Sequence, residues 1–86
     1  MNISVELTFS PLQDDFEVHI IRLIKKLRTS GLTVLENALS TQVYGNYDEV
    51  MQVLNSEIKE AFELIDNGLL HMKIVKSDRS GYEPDF

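Results

Sequence analysis

Ala38-Leu39-Ser40-Thr41-Gln42-Val43-Tyr44-Gly45, continued by Asn46-Tyr47-Asp48-Glu49-Val50-Met51, reads as a strand, a glycine stop and the start of an amphipathic helix. Thr41 to Tyr44 is rich in strand-forming side chains. Gly45-Asn46 ends it. Asp48 and Glu49 then sit where the positive end of a helix dipole favours carboxylates. A strand that runs straight into a helix is the second half of a repeating β-α-β design, so the elements on either side settle the fold.

Upstream, Ile3, Val5, Leu7 and Phe9 alternate with Ser4, Glu6 and Thr8. Period two marks a strand with one apolar and one polar face. Ser10-Pro11 ends it, because proline cannot donate to a ladder. Asp14 and Asp15 mark a helix start. Phe16, Ile20, Leu23, Ile24 and Leu27 follow at spacings of three and four, an apolar stripe flanked by Arg22, Lys25, Lys26 and Arg28. Ser30-Gly31 closes that helix. Leu32 to Leu39 is a second β-rich run, and the residues from Asn37 to Ser40 leave room for a tight turn.

Downstream, Val50, Met51, Leu54, Ile58, Ala61, Phe62 and Ile65 carry a helix from about Tyr47 to Ile65. Asn67-Gly68 stops it. Leu70, Met72 and Ile74 alternate with His71, Lys73 and Val75 in a last strand. The order is β-α-β-β-α-β. Two right-handed crossovers interleaved in one sheet predict an α+β, ferredoxin-like sandwich. Its four-stranded antiparallel sheet has the order 4-1-3-2, with two helices on one face. The domain spans 1–77, and 78–86 is a polar C-terminal tail read as loose. Ser4, Glu6, Thr8, His71, Lys73 and Val75 occupy the face without helices.

At 86 residues the chain supports one core. A domain this small is expected to gain from a partner subunit. There is no cysteine, so disulfides, thiol chemistry and cysteine-ligated metals are excluded. The formal charge of −6 disfavours phosphate-backbone binding. Neither a signal peptide nor a membrane span is visible, and a cytoplasmic location is expected.

Few residues carry chemistry. Glu6 and Lys73 share a face on neighbouring strands. They form either a cross-strand pair worth a few tenths to roughly 1 kcal/mol or a carboxylate that accepts from a ligand amine. Ser40 and Thr41 are ordinary turn and strand-start residues, or two hydroxyls for a neutral heteroaromatic ring. Tyr44 and Tyr47 flank Gly45 and can stack on a flat ligand or simply pack. His19 and His71 lie in different elements and make no metal or catalytic set. The first strand lacks the aromatic and basic residues of an RNA-binding sheet. The loop Ser10 to Asp15 lacks the arginine that acylphosphatases of this topology need.

Certain segments point further. They are Phe9-Ser10-Pro11-Leu12, Ser30-Gly31-Leu32, Ser40 to Gly45 with Tyr47-Asp48-Glu49-Val50-Met51, and Met72 to Arg79. None is specific alone, but in this order and spacing the chain resembles the small thiamine-binding protein family over nearly its whole length. Leu39 and the segment after Arg79 depart from that pattern. The resemblance implies a non-catalytic protein that binds thiamine or its hydroxymethylpyrimidine part for buffering, transport or salvage. It implies dimers or tetramers joined through their sheets, with no cofactor and no nucleic-acid or membrane partner. It carries ligand binding onto Ser40 and Thr41 first, then onto Glu6 and Tyr44. The other reading is a structural or regulatory oligomerisation module whose open sheet face is a subunit interface.

Overall fold

A computed structural model describes residues 1–86. The elements are β1 (Asn2–Pro11), α1 (Phe16–Arg28), β2 (Thr33–Glu36), β3 (Thr41–Asn46), α2 (Tyr47–Glu63) and β4 (Gly68–Val75). The sheet order is β2-β3-β1-β4, with every neighbouring pair antiparallel. This is the ferredoxin-like α+β sandwich that the sequence predicts.

Alternation along β1 decides which face is covered. Ile3, Val5, Leu7 and Phe9 point to the helices and are buried. They meet Leu23 and Leu27 of α1, Val43 of β3, and Val50, Leu54 and Ala61 of α2 in one core cluster. Phe9 also packs its ring against Phe62 at a centroid distance of 6.1 Å. The basic residues of α1 turn outward. Arg22 pairs with Glu60 of α2, and Arg28 with Glu36 of β2, so charges tie α1 to its neighbours at the rim.

The helix ends follow their capping chemistry. Asn46 accepts from the Asp48 backbone N–H at 3.1 Å and caps α2, with Asp48 and Glu49 in its first turn. α1 starts without a side-chain cap. Gln13 donates to the Asp15 carboxylate just before it, and this bond, helped by His19, holds the exposed carboxyl below its ordinary pKa. Gly31, with φ of 89°, turns the chain out of α1. The backbone at Gly45 passes so close to Leu32 and Val50 that an added Cβ would lie 3.2 Å from each. That close approach lets β3 enter α2 without a loop, and the Tyr47 N–H donating to the Met1 carbonyl at 2.9 Å fastens the corner to the start of β1.

β2 is shorter than the sequence reading. The chain leaves the sheet at Asn37, whose side-chain oxygen accepts from the N–H groups of Leu39 and Ser40. This Asx-type turn sets Ser40 at the mouth of β3. β4 forms one edge of the sheet. Its helix-side residues Met72 and Ile74 remain 42% and 44% exposed. No helix is long and apolar enough to cross a membrane.

Candidate functional site

The face without helices is built in rows. Glu6 lies between Gln42 on β3 and Lys73 on β4, and Ser4 lies between Tyr44 and Val75. Thr8 pairs with His71 one row further on. Short hydrogen bonds organise the middle row. The Ser40 hydroxyl donates to Glu6 Oε2 at 2.9 Å, and Gln42 Nε2 donates to Ser40 Oγ at 2.6 Å. A carboxylate can only accept, so the single Ser40 proton goes to Glu6. Ser40 Oγ must then accept from Gln42, which fixes the amide with its nitrogen towards the serine.

This leaves two polar functions with hydrogen-bonding capacity to spare on paired residues of neighbouring strands. Glu6 Oε1 has only Lys73 Nζ near it, at 3.6 Å. Gln42 Nε2 has a second N–H to give. An acceptor and a donor thus stand together on neighbouring strands. A hollow of about 190 Å3 opens beside them, lined by Ser4, Val5, Glu6, Gln42, Tyr44, Lys73, Val75 and Arg79. A second hollow of about 170 Å3 shares Glu6 and Lys73 and extends towards Thr8 and His71.

The open face is not bare at its far end. The Ser4 hydroxyl donates to the Ser77 carbonyl at 2.7 Å and accepts from the Arg79 N–H at 2.8 Å. Ser77 to Arg79, of which Asp78 and Arg79 are read from sequence as the start of a loose tail, therefore cross β1 as a strap, and Ser4 is only 7% exposed beneath it.

The four residues singled out from sequence are divided by the strand pleat. Glu6, Ser40 and Tyr44 come together on the open face. Thr41 points to the helix side, opposite Leu7 in the ladder and 9% exposed. The two neighbouring hydroxyls cannot serve one ligand on the open face. Both border a different cavity of about 200 Å3 between α1 and the β2–β3 turn, walled mainly by Leu7, Phe9, Ile20, Ile24 and Leu39. That cavity has neither carboxylate nor cation on its walls. Sequence reading missed Gln42, although its alternation with Thr41 and Val43 assigns it to the face of Tyr44. It also missed Arg79, whose placement rests on a contact with Ser4 that no local pattern announces. His19 sits beside Asp15 and Gln13, and no three His, Asp or Glu side chains converge as a metal site.

No known family's sequence profile matches the chain, and no curated protein matches it. Solved structures do. Protein SP2199 of Streptococcus pneumoniae superposes with a TM-score of 0.84 at 26% identity, over 91% of this chain and 89% of that one. A Thermotoga maritima protein, provisionally assigned to thiamine biosynthesis or salvage, gives 0.81 at 19% identity, over 90% and 85%. A Bacillus cereus domain of unknown function gives 0.76 at 16% identity, over 99% and 85%. What the chain shares with these proteins is the ferredoxin-like fold over nearly its full length.

Proposed function

We propose that the protein binds the 4-aminopyrimidine ring of thiamine or of its hydroxymethylpyrimidine part, without catalysis, on the open face of the sheet. The carrying observation is the polar pair at Glu6 and Gln42. A 4-aminopyrimidine offers an amino N–H and, beside it, a ring nitrogen that accepts. The Glu6 carboxylate takes the first and the spare Gln42 N–H supplies the second, with Ser40 holding both partners in place. Tyr44 gives the ring an aromatic wall. The shared fold with a protein provisionally assigned to thiamine biosynthesis or salvage supports the same reading.

Size favours the smaller ligand. Pockets for drug-sized molecules span about 300 to 1,000 Å3. The hollow beside Glu6 holds about 190 Å3, room for one substituted ring rather than two. Lys73 and Arg79 beside it also oppose the thiazolium cation, although the chain as a whole is acidic. Hydroxymethylpyrimidine is therefore the preferred ligand and thiamine the weaker one.

Calorimetric titration with hydroxymethylpyrimidine tests the reading, and two variants locate the ring. Ser40→Ala is expected to weaken binding about tenfold, because it frees both Glu6 and Gln42. Thr41→Val, on the other face, is expected to change it by less than about twofold. The reverse order would move the ring into the apolar cavity under α1. Absence of any heat or thermal shift at millimolar ligand would sink the proposal altogether.

We also propose that copies of the chain assemble through β4. Its outer edge has no strand beside it, and exposed Met72 and Ile74 line the helix side of that edge. Unpaired edge backbone next to apolar side chains is a template for another strand. Sedimentation is expected to show a dimer or tetramer, and Met72→Lys with Ile74→Lys to shift it to monomer. A monomer in the wild type at micromolar concentration contradicts this assembly.

A further inference from the structure

Arg79 is a charged residue of the open face that makes no contact with the ring in the reading above. Its backbone N–H is pinned to Ser4, so its side chain starts from a fixed point above the sheet. Its Nε donates to Ser77 Oγ at 2.8 Å, which leaves the two terminal guanidinium nitrogens without a partner in the chain. Lys73 lines the same hollow, and its only carboxylate neighbour, Glu6, stands 3.6 Å away and already accepts from Ser40. Asp78, the other carboxylate of the strap, is turned away, accepting from the N–H and hydroxyl of Ser80 at 2.9 and 2.6 Å. These bonds hold its carboxyl below the ordinary range. In a protein of formal charge −6, this hollow thus gathers two cations against one carboxylate, whose Oε2 already accepts from Ser40.

We infer that the open-face site takes a phosphate monoester of the hydroxymethylpyrimidine, with the ring at Glu6 and Gln42 and the phosphate between Arg79 and Lys73. The inference rests on the ring reading above and extends it. Distance along β1 is suitable. Ser4 and Glu6 are two residues apart on one face, about 7 Å along a strand. The width of the ring together with one substituent carbon and one ester oxygen spans a gap of that order, from the ring's far edge to a phosphorus atom. The phosphate brings nearly two negative charges at neutral pH and three acceptor oxygens. The guanidinium supplies a planar pair of donors of matching geometry, and the ammonium a point charge. The strap holds Arg79 in place before any ligand arrives, so less ordering is left to the moment of binding.

The test compares three ligands on one protein: hydroxymethylpyrimidine, its phosphate monoester and inorganic phosphate. Calorimetry is expected to give the ester about tenfold higher affinity than the alcohol at low salt. That preference is expected to shrink as salt is raised. In Arg79→Ala the strap remains, because its bond uses the backbone N–H. The ratio of ester to alcohol affinity is expected to fall there to within about twofold of one. An ester no tighter than the alcohol, or a ratio that survives in Arg79→Ala, overturns the inference and leaves the ring reading standing. Inorganic phosphate binding as tightly as the ester reduces the site to a simple anion site and also overturns it. If neither alcohol nor ester binds, the ring reading falls with it.

Discussion

Replacing Leu27 by alanine is expected to lower the unfolding free energy by about 3 kcal/mol. Leu27 is the last apolar position of the α1 stripe and is 0% exposed. It belongs to the cluster that joins α1 to β1, β3 and α2. Removing three carbons there forfeits their transfer energy and leaves a cavity that both helices must close on. A domain of this size is expected to hold about 5 to 15 kcal/mol in total, so a loss of this kind is a large share of it. The melting temperature is expected to drop by more than about 10 °C. Urea unfolding at fixed protein concentration checks it, since any assembly makes stability concentration-dependent. A loss under about 1 kcal/mol would mean that α1 is not seated on the sheet as described.

Glu6→Gln is expected to do the opposite: little to the fold and much to the ligand. Glu6 and Lys73 are both substantially solvated, with side chains 45% and 70% exposed. Such pairs contribute about 0 to 1 kcal/mol, so the melting temperature should move by only a few degrees. Binding is another matter. The proposed bond from the ligand amine to the carboxylate is charge-assisted, and a hydrogen bond of that kind contributes about 1.5 to 3 kcal/mol. Affinity for hydroxymethylpyrimidine is therefore expected to fall about 10- to 100-fold. Calorimetry and thermal melting on the same sample separate the two effects. An unchanged affinity removes Glu6 from the site, and a collapsed melting temperature makes it a structural residue instead.

The two substitutions also mark what the sequence shows and what it hides. Leu27 is legible because helical spacing and strand alternation record which face is buried. These periods mark both helices and the first and last strands, while the middle strands come from composition and the strand order from the handedness of the crossovers. The extent of burial is less legible. Met72 and Ile74 alternate like core residues, yet β4 lies at the sheet edge, where half of their surface meets no helix. The site is legible only in part. Glu6 stands out as a carboxylate in the centre of a strand. Ser40 and Thr41 look like a pair because they are neighbours, but a pleated strand sends neighbours to opposite faces. Val43 carried the missing signal, since Thr41 shares its parity and hence its buried face. Arg79 carried none, because its position depends on a bond to a residue 75 positions away.

The hydroxyl of Ser40 gives the middle row of the open face a direction. Its proton points to Glu6, and the Gln42 nitrogen points back to it. The row therefore offers its acceptor and its donor in one order only. Deamination of the pyrimidine replaces the amino group by a carbonyl and puts a hydrogen on the neighbouring ring nitrogen. The same edge would then set carbonyl against carboxylate and N–H against N–H. On the proposed binding mode, a single serine would thus make the surface a reader of whether the ring's amino group is intact, turning a deaminated pyrimidine away by charge and proton placement rather than by shape.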